Sequence, residues 1–359
     1  MNKTNNTKAT WLIYGANGFT GKLIAEQAKR EGLTPVLGGR NTAAIEGLAK
    51  ALGFKAHVFA CTSADAVAKE LEGYAAVLHC AGPFAYTSPV MTQACAKAKC
   101  HYMDITGEMT VLESLLSQSE FFKEAGIAVM PGVGFDVVPT DCVAAMLKQS
   151  LPLADTLTLA FQATGRMSRG TLSTMIDNLE SGSCRRVFGK FQKTALGERT
   201  KHIQFLDKEK LCVGIPWGDV ASAFYSTAIP NIEVYNASKP AAVQIMRLAN
   251  HLRPVLGMKP VKNLFQKMVG PSGDGPSAEV RAATFCRVWG EVSEPNGGTK
   301  VMRLQTPNGY DLTVNSALAV MKATLAGKVK PGAWTPSQAM GPEFVLTLPG
   351  VKRLESRHS

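Results

Sequence analysis

Short apolar runs alternate with longer amphipathic stretches through the first third of the chain. The apolar runs predict strands at residues 11–14, 34–37, 56–60, 75–80, 101–105 and 127–130. The stretches between them predict helices at residues 21–31, 42–52, 63–71, 89–98 and 109–124. Strand–helix alternation with short connections indicates a parallel sheet covered by helices on both faces. Ligands of such doubly wound α/β domains bind beyond the carboxyl ends of the strands.

The pattern changes after about residue 139. A predicted helix leads into alternating stretches typical of half-buried strands, and turn sequences rich in glycine, asparagine and proline separate them. The predicted strands are residues 156–162, 279–292, 300–304 and 310–314, and a helix is predicted over 315–326. Residues 185–210 are charged and weakly periodic, which predicts a surface excursion. These features together indicate a second, mostly antiparallel sheet with helices.

Length and composition are those of a globular protein with two domains. The chain has 359 residues, of which 45% are hydrophobic and 19% charged. Lys and Arg number 39 against 28 Asp and Glu, a net charge of +11 that favours anionic ligands. We find no run of four basic residues and no interleaving of basic with aromatic residues, so we do not expect a nucleic-acid partner.

Cysteine and histidine usage argues against disulfides and metal. Eight cysteines lie at irregular spacings, and no two of the six histidines have metal-ligand spacing. The polar start of the chain lacks the apolar core of a signal peptide, and no apolar run reaches the ~18 residues of a membrane span. The expectations are reduced thiols, no metal, no transmembrane segment and a cytoplasmic location.

A glycine-rich sequence follows the first predicted strand and opens the first predicted helix. It reads Gly15-Ala16-Asn17-Gly18-Phe19-Thr20-Gly21. In this context the first glycine allows a tight turn, the second lets a pyrophosphate approach, and the third permits close packing of helix on strand. The helix N-terminus then offers its free N–H groups to the phosphates. The sequence therefore predicts a dinucleotide-binding Rossmann domain.

The end of the second predicted strand indicates which dinucleotide binds. NAD enzymes carry an acidic residue there for the ribose 2′-OH. This chain has Arg40 followed by Asn41 instead, and a guanidinium suits a 2′-phosphate. NADP(H) is the predicted cofactor. After the fourth strand, the small residues Ala81, Gly82 and Pro83 let the backbone lie against the cofactor, and Phe84 is expected to flank its nicotinamide.

These segments, together with His101–Glu108 and Pro131–Asp141, resemble the saccharopine dehydrogenase-like oxidoreductases. That group includes saccharopine reductases and trans-acting enoyl reductases. The resemblance continues through Arg169–Ser173 and Ile215–Asp219 to the sequence around Trp334. It implies an inserted α+β domain and a C-terminal segment that packs back on the first domain. The implied division is residues 1–140, 141–314 and 315–359.

The resemblance also assigns residues to the cofactor and to the mouth of the cleft. It implies the glycine sequence at the pyrophosphate, Arg40 at the 2′-phosphate and Gly82–Phe84 near the nicotinamide. Four carboxylates in two loops at strand ends are candidates for proton transfer: Asp104, Glu108, Asp136 and Asp141. Helix capping is the competing explanation for them.

Several functions remain open. The leading one is reduction of a C=N, C=C or C=O bond by NADPH, with Arg166, Arg169 and Arg185 as candidate grips for a polar substrate. Phe84, Met103, Phe135 and Trp217 fit an acyl substrate equally well. An NADP-binding redox sensor without turnover is an alternative. So is an atypical short-chain dehydrogenase, because Tyr235 and Lys239 form a Tyr-x-x-x-Lys pair with Ser222 upstream. By analogy with other proteins of such folds we expect a homodimer.

Overall fold

The computed structural model describes residues 9–163, 182–206, 208–252, 258, 261 and 275–355. The first part of the chain alternates strands and helices, as the apolar pattern predicted. Its elements are β1 (Trp11–Tyr14), α1 (Phe19–Arg30), β2 (Val36–Gly39), α2 (Thr42–Leu52), β3 (Lys55–Val58), α3 (Ala64–Glu70), β4 (Ala76–His79), α4 (Phe84–Ala98), β5 (His101–Asp104), α5 (Met109–Leu116), α6 (Ser119–Glu124) and β6 (Ala128–Met130).

The elements that follow contain longer strands and a few helices. They are α7 (Val138–Ser150), β7 (Thr156–Ala163), β8 (Ser183–Val187), β9 (Lys190–Thr194), β10 (Thr200–Gln204), β11 (Glu209–Gly214), α8 (Asp219–Thr227), β12 (Asn231–Ala237), α9 (Pro240–Ala249), α10 (Ala278–Ala282), β13 (Phe285–Ser293), β14 (Thr299–Pro307), α11 (Gly309–Leu325), β15 (Gly332–Ala333), α12 (Pro336–Met340) and β16 (Lys352–Leu354). None of these described helices is long and apolar enough to cross a membrane.

The first sheet is parallel and has the strand order β15-β6-β5-β4-β1-β2-β3. Its central strands β1, β2 and β4 are buried along their whole length because helices cover both faces. The direction of winding reverses between β1 and β4, which is where doubly wound sheets bind ligands.

The second sheet follows the path β10-β11-β12-β7-β13-β14-β16, with β8 paired to β12 and β9. Its strand pairs are antiparallel except β12 with β7. The β13–β14 hairpin turns at residues 294–298, as predicted, and Glu294 accepts there from the amide of Gly297 at 3.0 Å. The predicted fold class, a Rossmann sheet with a second α+β unit, is confirmed.

Helix α7 connects the two sheets. Its Val143 approaches Gly290 of β13 so closely that a Cβ on this glycine would lie 2.5 Å from the valine Cγ1. One continuous cluster of buried apolar side chains extends from Ile13 of β1 to Leu304 of β14. The carboxyl edge of the first sheet therefore faces the second sheet across a packed junction.

Three predictions about the second part of the chain are wrong. The strand predicted over residues 279–292 begins only at Phe285, because Ser277 accepts from the Val280 amide at 3.4 Å and caps the short helix α10. Residues 310–314 are the beginning of α11 and not a strand, because Asn308 accepts from the amide of Tyr310 at 3.0 Å and caps the helix. Residues 185–210 form β8, β9 and β10 and enter β11, so this charged stretch belongs to the sheet. The predicted boundary after residue 314 falls inside α11, and the division into domains stays a prediction.

Candidate functional site

The glycine loop between β1 and α1 is held by neighbouring strands. The amides of Gly15 and Ala16 both donate to the carbonyl of Gly38, at 2.8 and 3.1 Å. Gly15 has a φ of +83°, and a Cβ there would lie 2.8 Å from the Ala81 amide nitrogen. A Cβ on Gly21 would lie 2.4 Å from the Gly15 carbonyl oxygen. The chain itself therefore requires glycine at positions 15 and 21.

The middle glycine is free of such crowding. Gly18 is exposed, has a φ of −72°, and a Cβ on it would meet only the Gly15 carbonyl oxygen, at 3.3 Å. It precedes α1, which has no side-chain cap and no acidic residue in its first turn. The first amides of α1 thus remain available to an anion, and the bare Gly18 leaves room for it.

The remaining residues of the loop are divided between core and surface. Ala16 is buried, Asn17 is exposed, and Thr20 is half-buried. The Phe19 ring packs edge-on against Tyr310 of α11, with ring centroids 4.9 Å apart. The glycine loop is therefore bordered by α11 on one side.

Arg40 lies at the end of β2 and is exposed. Within the part of the chain that the structure describes, its guanidinium has no hydrogen bond or ion pair. The next residue, Asn41, has a different task, since its Oδ1 accepts from the Ala44 amide at 3.1 Å and caps α2. Arg40 is thus the basic side chain left for a ligand here, while the Asn41 side chain is occupied.

The loop after β4 reaches α4 through Gly82 and Pro83. Gly82 is exposed, and Pro83 occupies the cap position of α4 without a side-chain cap. The first two amides of the helix, of Phe84 and Ala85, donate to the Glu108 carboxylate at 2.8 and 2.9 Å. The structure therefore uses Glu108 to cap α4, the explanation that competed with a catalytic role.

The Thr106–Glu108 segment contacts several parts of the site. Glu108 is bridged to Trp217 by backbone pairing, and its amide donates to Thr106 Oγ1 at 3.0 Å. A Cβ on Gly107 would lie 2.7 Å from the Asp136 Oδ2. This one segment thus touches the loop before α4, a carboxylate and the second part of the chain.

Asp136 is the one of the four candidate carboxylates that is partly exposed. Loss of hydration raises its pKa to about 7. The Trp217 indole donates to the Asp136 backbone carbonyl at 3.0 Å, and the rings of Trp217 and Phe161 lie 5.3 Å apart. Phe135 packs edge-on against Phe161, at 5.9 Å. We call these three rings the aromatic wall.

Asp104 is fully buried in a network that joins strand ends. It accepts from the amides of Thr106 and Gly132 at 3.0 and 2.9 Å and from the Tyr102 hydroxyl at 2.7 Å. Burial raises the Asp104 pKa to about 6 and lowers the pKa of His79 to about 3. His79 Nδ1 lies 3.1 Å from the same hydroxyl. Since that hydroxyl donates to Asp104, a neutral His79 must donate from Nδ1.

Asp141 is also fully buried, and one of its oxygens accepts from the Ser337 amide of α12 at 2.7 Å. Nearby, Thr140 Oγ1 lies 2.6 Å from the Oδ1 atom of Asp219. Asp219 was not among the site residues predicted from the sequence. Burial raises the pKa of both carboxyls, that of Asp219 strongly. The sequence feature that could have indicated a role for Asp219 was its place in the Ile215–Asp219 motif.

Other candidates lie away from this group of residues. Tyr235 is on β12 of the second sheet and donates to Glu233 at 2.6 Å, so the Tyr-x-x-x-Lys pair does not lie on a helix beside the first sheet. Arg185 pairs with Glu233 at 2.9 Å. Met103 is not in the cleft as predicted but in the core, 1% exposed. Arg166 and Arg169 lie outside the described residues.

Comparison with known families identifies the first part of the chain. Residues 11–130 match the family model of the saccharopine dehydrogenase NADP binding domain. This confirms the resemblance that the motifs indicated. The nicotinamide cofactor of this NADP-binding domain is NADP(H). The uncapped first turn of α1 fits its phosphates, and so does Arg40, which has no partner among the described residues.

Two curated relatives each match less than half of the chain. A putative trans-acting enoyl reductase of Mycobacterium tuberculosis is 31% identical over 186 residues, 48% of this chain and 44% of that protein. A probable mitochondrial saccharopine dehydrogenase-like oxidoreductase of Arabidopsis thaliana is 28% identical over 160 residues, 39% of this chain and 35% of that protein. The match thus spans less than half of either relative's length.

A solved structure extends the likeness to the whole fold. Apo saccharopine dehydrogenase (L-Glu forming) of Saccharomyces cerevisiae superposes with a TM-score of 0.65 at 12% identity, over 97% of this chain and 100% of that one. At this identity the likeness describes the fold, including the second sheet beside the NADP-binding domain.

Proposed function

We propose that the protein is an NADPH-dependent oxidoreductase that reduces a C=C, C=N or C=O bond of a small or acyl substrate. The substrate lies between the carboxyl edge of the first sheet and the aromatic wall. The observation that carries this proposal is Asp136, a partly exposed acid with a pKa of about 7 beside Trp217 and close to the Thr106–Glu108 segment. A pKa near the working pH suits a general acid.

Three groups of residues hold the cofactor in this proposal. The amides after Gly18 bind the pyrophosphate, and Arg40 binds the 2′-phosphate through its planar guanidinium. The exposed Gly82, with Pro83 and the backbone of Phe84, borders the nicotinamide. The Phe84 ring itself is buried, 5.3 Å from the His79 ring. When bound, NADPH supplies the hydride, and the protein has to orient the substrate and keep water out.

Asp136 has the chemical role in the reduction. Its carboxyl group is protonated near neutral pH and donates that proton to the substrate as the double bond is reduced. The Trp217 indole holds the Asp136 backbone, and Gly107 gives the carboxyl group room. Asp104 and Asp141 are buried and hydrogen-bonded to backbone amides, and we assign them structural roles.

We favour an α,β-unsaturated acyl group as the substrate. Trp217 is the half-buried ring of the aromatic wall and offers apolar contact, while Phe161 and Phe135 are buried behind it. An apolar surface suits a chain of methylenes better than a zwitterion. The name of the mycobacterial relative, a trans-acting enoyl reductase, supports the same substrate class.

The test is a titration with NADPH and with NADH, followed by an assay of NADPH oxidation. Wild type should bind NADPH more tightly than NADH, and Arg40→Ala should abolish the preference. Arg30→Ala is the matched control, because Arg30 is exposed near the opposite end of α1. A panel of an enoyl thioester, an imine and an aldehyde then identifies the bond reduced. Binding without any turnover would favour the redox-sensor alternative, and failure to bind either dinucleotide would refute the proposal.

A further inference from the structure

The cap of α4 comes from a distant part of the chain. Helices are commonly capped by a Ser, Thr, Asp or Asn at the residue before the first turn. Here that residue is Pro83, which has no acceptor in its side chain. The first two amides of the helix, of Phe84 and Ala85, each donate instead to one Glu108 oxygen, at 2.8 and 2.9 Å.

Glu108 is itself held in place by contacts with Thr106 and Trp217. It is 9% exposed, and its amide donates to Thr106 Oγ1 at 3.0 Å. Its backbone pairs with Trp217 of the aromatic wall. On the same segment, the Gly107 carbonyl oxygen would lie 3.1 Å from a Cβ on Gly218. The segment around Gly107 and the segment around Gly218 are therefore in close contact.

We infer that Glu108 is a positioning residue that sets the Gly82–Phe84 loop for the nicotinamide and ties it to the aromatic wall. This inference rests on the proposed function, because it assigns the nicotinamide to that loop. A change at Trp217 is transmitted through the Glu108 backbone to the loop, and the carboxylate holds the loop in one conformation. Glu108 donates no proton in this role, and Asp136 remains the acid.

This inference is tested by comparing the binding of NADPH with the binding of a cofactor fragment that lacks the nicotinamide. NADPH contains the nicotinamide, whereas 2′-phospho-ADP-ribose has the same phosphates and adenine without it. In Glu108→Gln an amide replaces the carboxylate, so only one oxygen remains for two N–H donors. The Gly82–Phe84 loop then has to be ordered when NADPH binds. We therefore expect NADPH to bind about tenfold more weakly, a change in free energy within the usual effect of losing a helix cap. Binding of 2′-phospho-ADP-ribose should stay within about twofold of wild type.

A second measurement follows the nicotinamide directly. The fluorescence of bound NADPH reports how rigidly and how dryly its nicotinamide is held, and it should fall in Glu108→Gln. Glu108→Asp keeps the charge on a side chain one methylene shorter and should show an intermediate loss of both NADPH affinity and fluorescence. This second variant also serves if Glu108→Gln does not fold.

Glu113→Gln is the matched control. Glu113 also links α5 to the second sheet, through Arg186 Nη2 at 2.6 Å, but no described contact joins it to the loop before α4. It should lower stability without changing the ratio of the two affinities.

The outcomes separate the inference from the function on which it rests. Equal weakening of both ligands by Glu108→Gln, or no change in either, would overturn the positioning role. If wild type binds neither ligand, it is the proposed function that fails. Arg40→Ala should weaken both ligands together, because both carry the 2′-phosphate.

Discussion

The Trp217 indole Nε1 donates to the backbone carbonyl of Asp136 over 3.0 Å, joining a side chain of the second part of the chain to the loop after β6. The contact orients the carboxyl group that we propose as the acid. It also anchors one ring of the aromatic wall. The position of the proposed acid and the position of the Trp217 ring therefore depend on the same hydrogen bond.

We expect Trp217→Phe to lower kcat/KM about two- to tenfold, which corresponds to the net free energy of one hydrogen bond. Trp334→Phe is the matched control, because that indole donates to the Lys330 carbonyl at 2.9 Å and is remote from the aromatic wall. Both variants lose a ring N–H of the same kind. An equal loss of activity in both would show that the Trp217 contact has no particular importance for the site.

Reduction should depend on the ionisation of Asp136. Its pKa is raised to about 7, so the proton is present below that pH and kcat/KM should fall as pH rises above it. Asp136→Asn should remove this limb of the pH profile and lower kcat about 10²- to 10⁴-fold, the usual contribution of a general acid. Asp65→Asn, at an exposed position on α3, should leave the profile unchanged. A profile that survives in Asp136→Asn would exclude Asp136 as the acid.

Two glycines of the loop, Gly18 and Gly21, should respond differently to alanine. Gly21→Ala should cost about 1–3 kcal/mol of stability, because its Cβ would lie 2.4 Å from the Gly15 carbonyl oxygen. Gly18→Ala should leave stability within about 0.5 kcal/mol, yet weaken NADPH binding, because its methyl group would occupy the space for the pyrophosphate.

Gly47→Ala provides the control for these variants. This glycine lies in α2 with no atom near the position of its Cβ, so alanine should stabilise the protein by up to about 1 kcal/mol. Thermal unfolding and NADPH titration of the three variants distinguish the two roles. Equal destabilisation by Gly18→Ala and Gly21→Ala would contradict them.

Stability should decrease with pH because of Asp219. Its Oδ1 lies 2.6 Å from Thr140 Oγ1, and the single hydroxyl proton of Thr140 also faces the Val137 carbonyl at 3.0 Å. Burial raises the Asp219 pKa and outweighs the hydrogen bond that Thr140 donates to Asp219, which lowers it, and the neighbouring Asp141 and Asp136 add to the effect of burial. The pKa of Asp219 is therefore raised well above the ordinary value of 3.8. The native state then holds a proton that the unfolded chain releases.

The free energy of unfolding therefore falls as pH rises from the unfolded pKa of Asp219 through its folded pKa. Asp219→Asn cannot ionise, so its stability should depend less steeply on pH and exceed that of wild type at the alkaline end. Asp155→Asn, at a partly exposed position, should keep the wild-type slope. Denaturant unfolding at a series of pH values measures this, and parallel curves for wild type and Asp219→Asn would refute the assignment.

The alternation of β1 to β6 could be predicted because its signals are local. Each strand is a short apolar run, and the glycine loop lies directly between β1 and α1. The charged stretch over residues 185–210 was misread because its strands are short and carry polar side chains on exposed faces. The start of α11 was misread because Asn308 and Gly309 suit a turn and a helix start equally well, and the Asn308 cap that begins the helix is seen only in the folded chain.

The contacts that organise the site could not be predicted in the same way. Glu108 caps amides 24 and 23 residues earlier in the chain, and no local spacing indicates that pairing. Asp104 ends β5 and Asp136 lies in the loop after β6, yet one is buried among donors and the other is partly exposed. Which carboxylate has a pKa suited to catalysis depends on that surrounding structure.

The short strand β15 is synthesised about 200 residues after β6, the strand with which it pairs. It pairs with β6 and closes the outer edge of the first sheet, where Ser119 and Ala333, 214 positions apart, exchange hydrogen bonds at 3.3 and 2.9 Å. During translation β6 leaves the ribosome long before its neighbour exists, and its apolar residues meanwhile present an open edge to other nascent chains. A fragment cut after Met130 would keep that edge permanently. A minimal cofactor-binding fragment should therefore include Gly332 and Ala333 grafted beside β6.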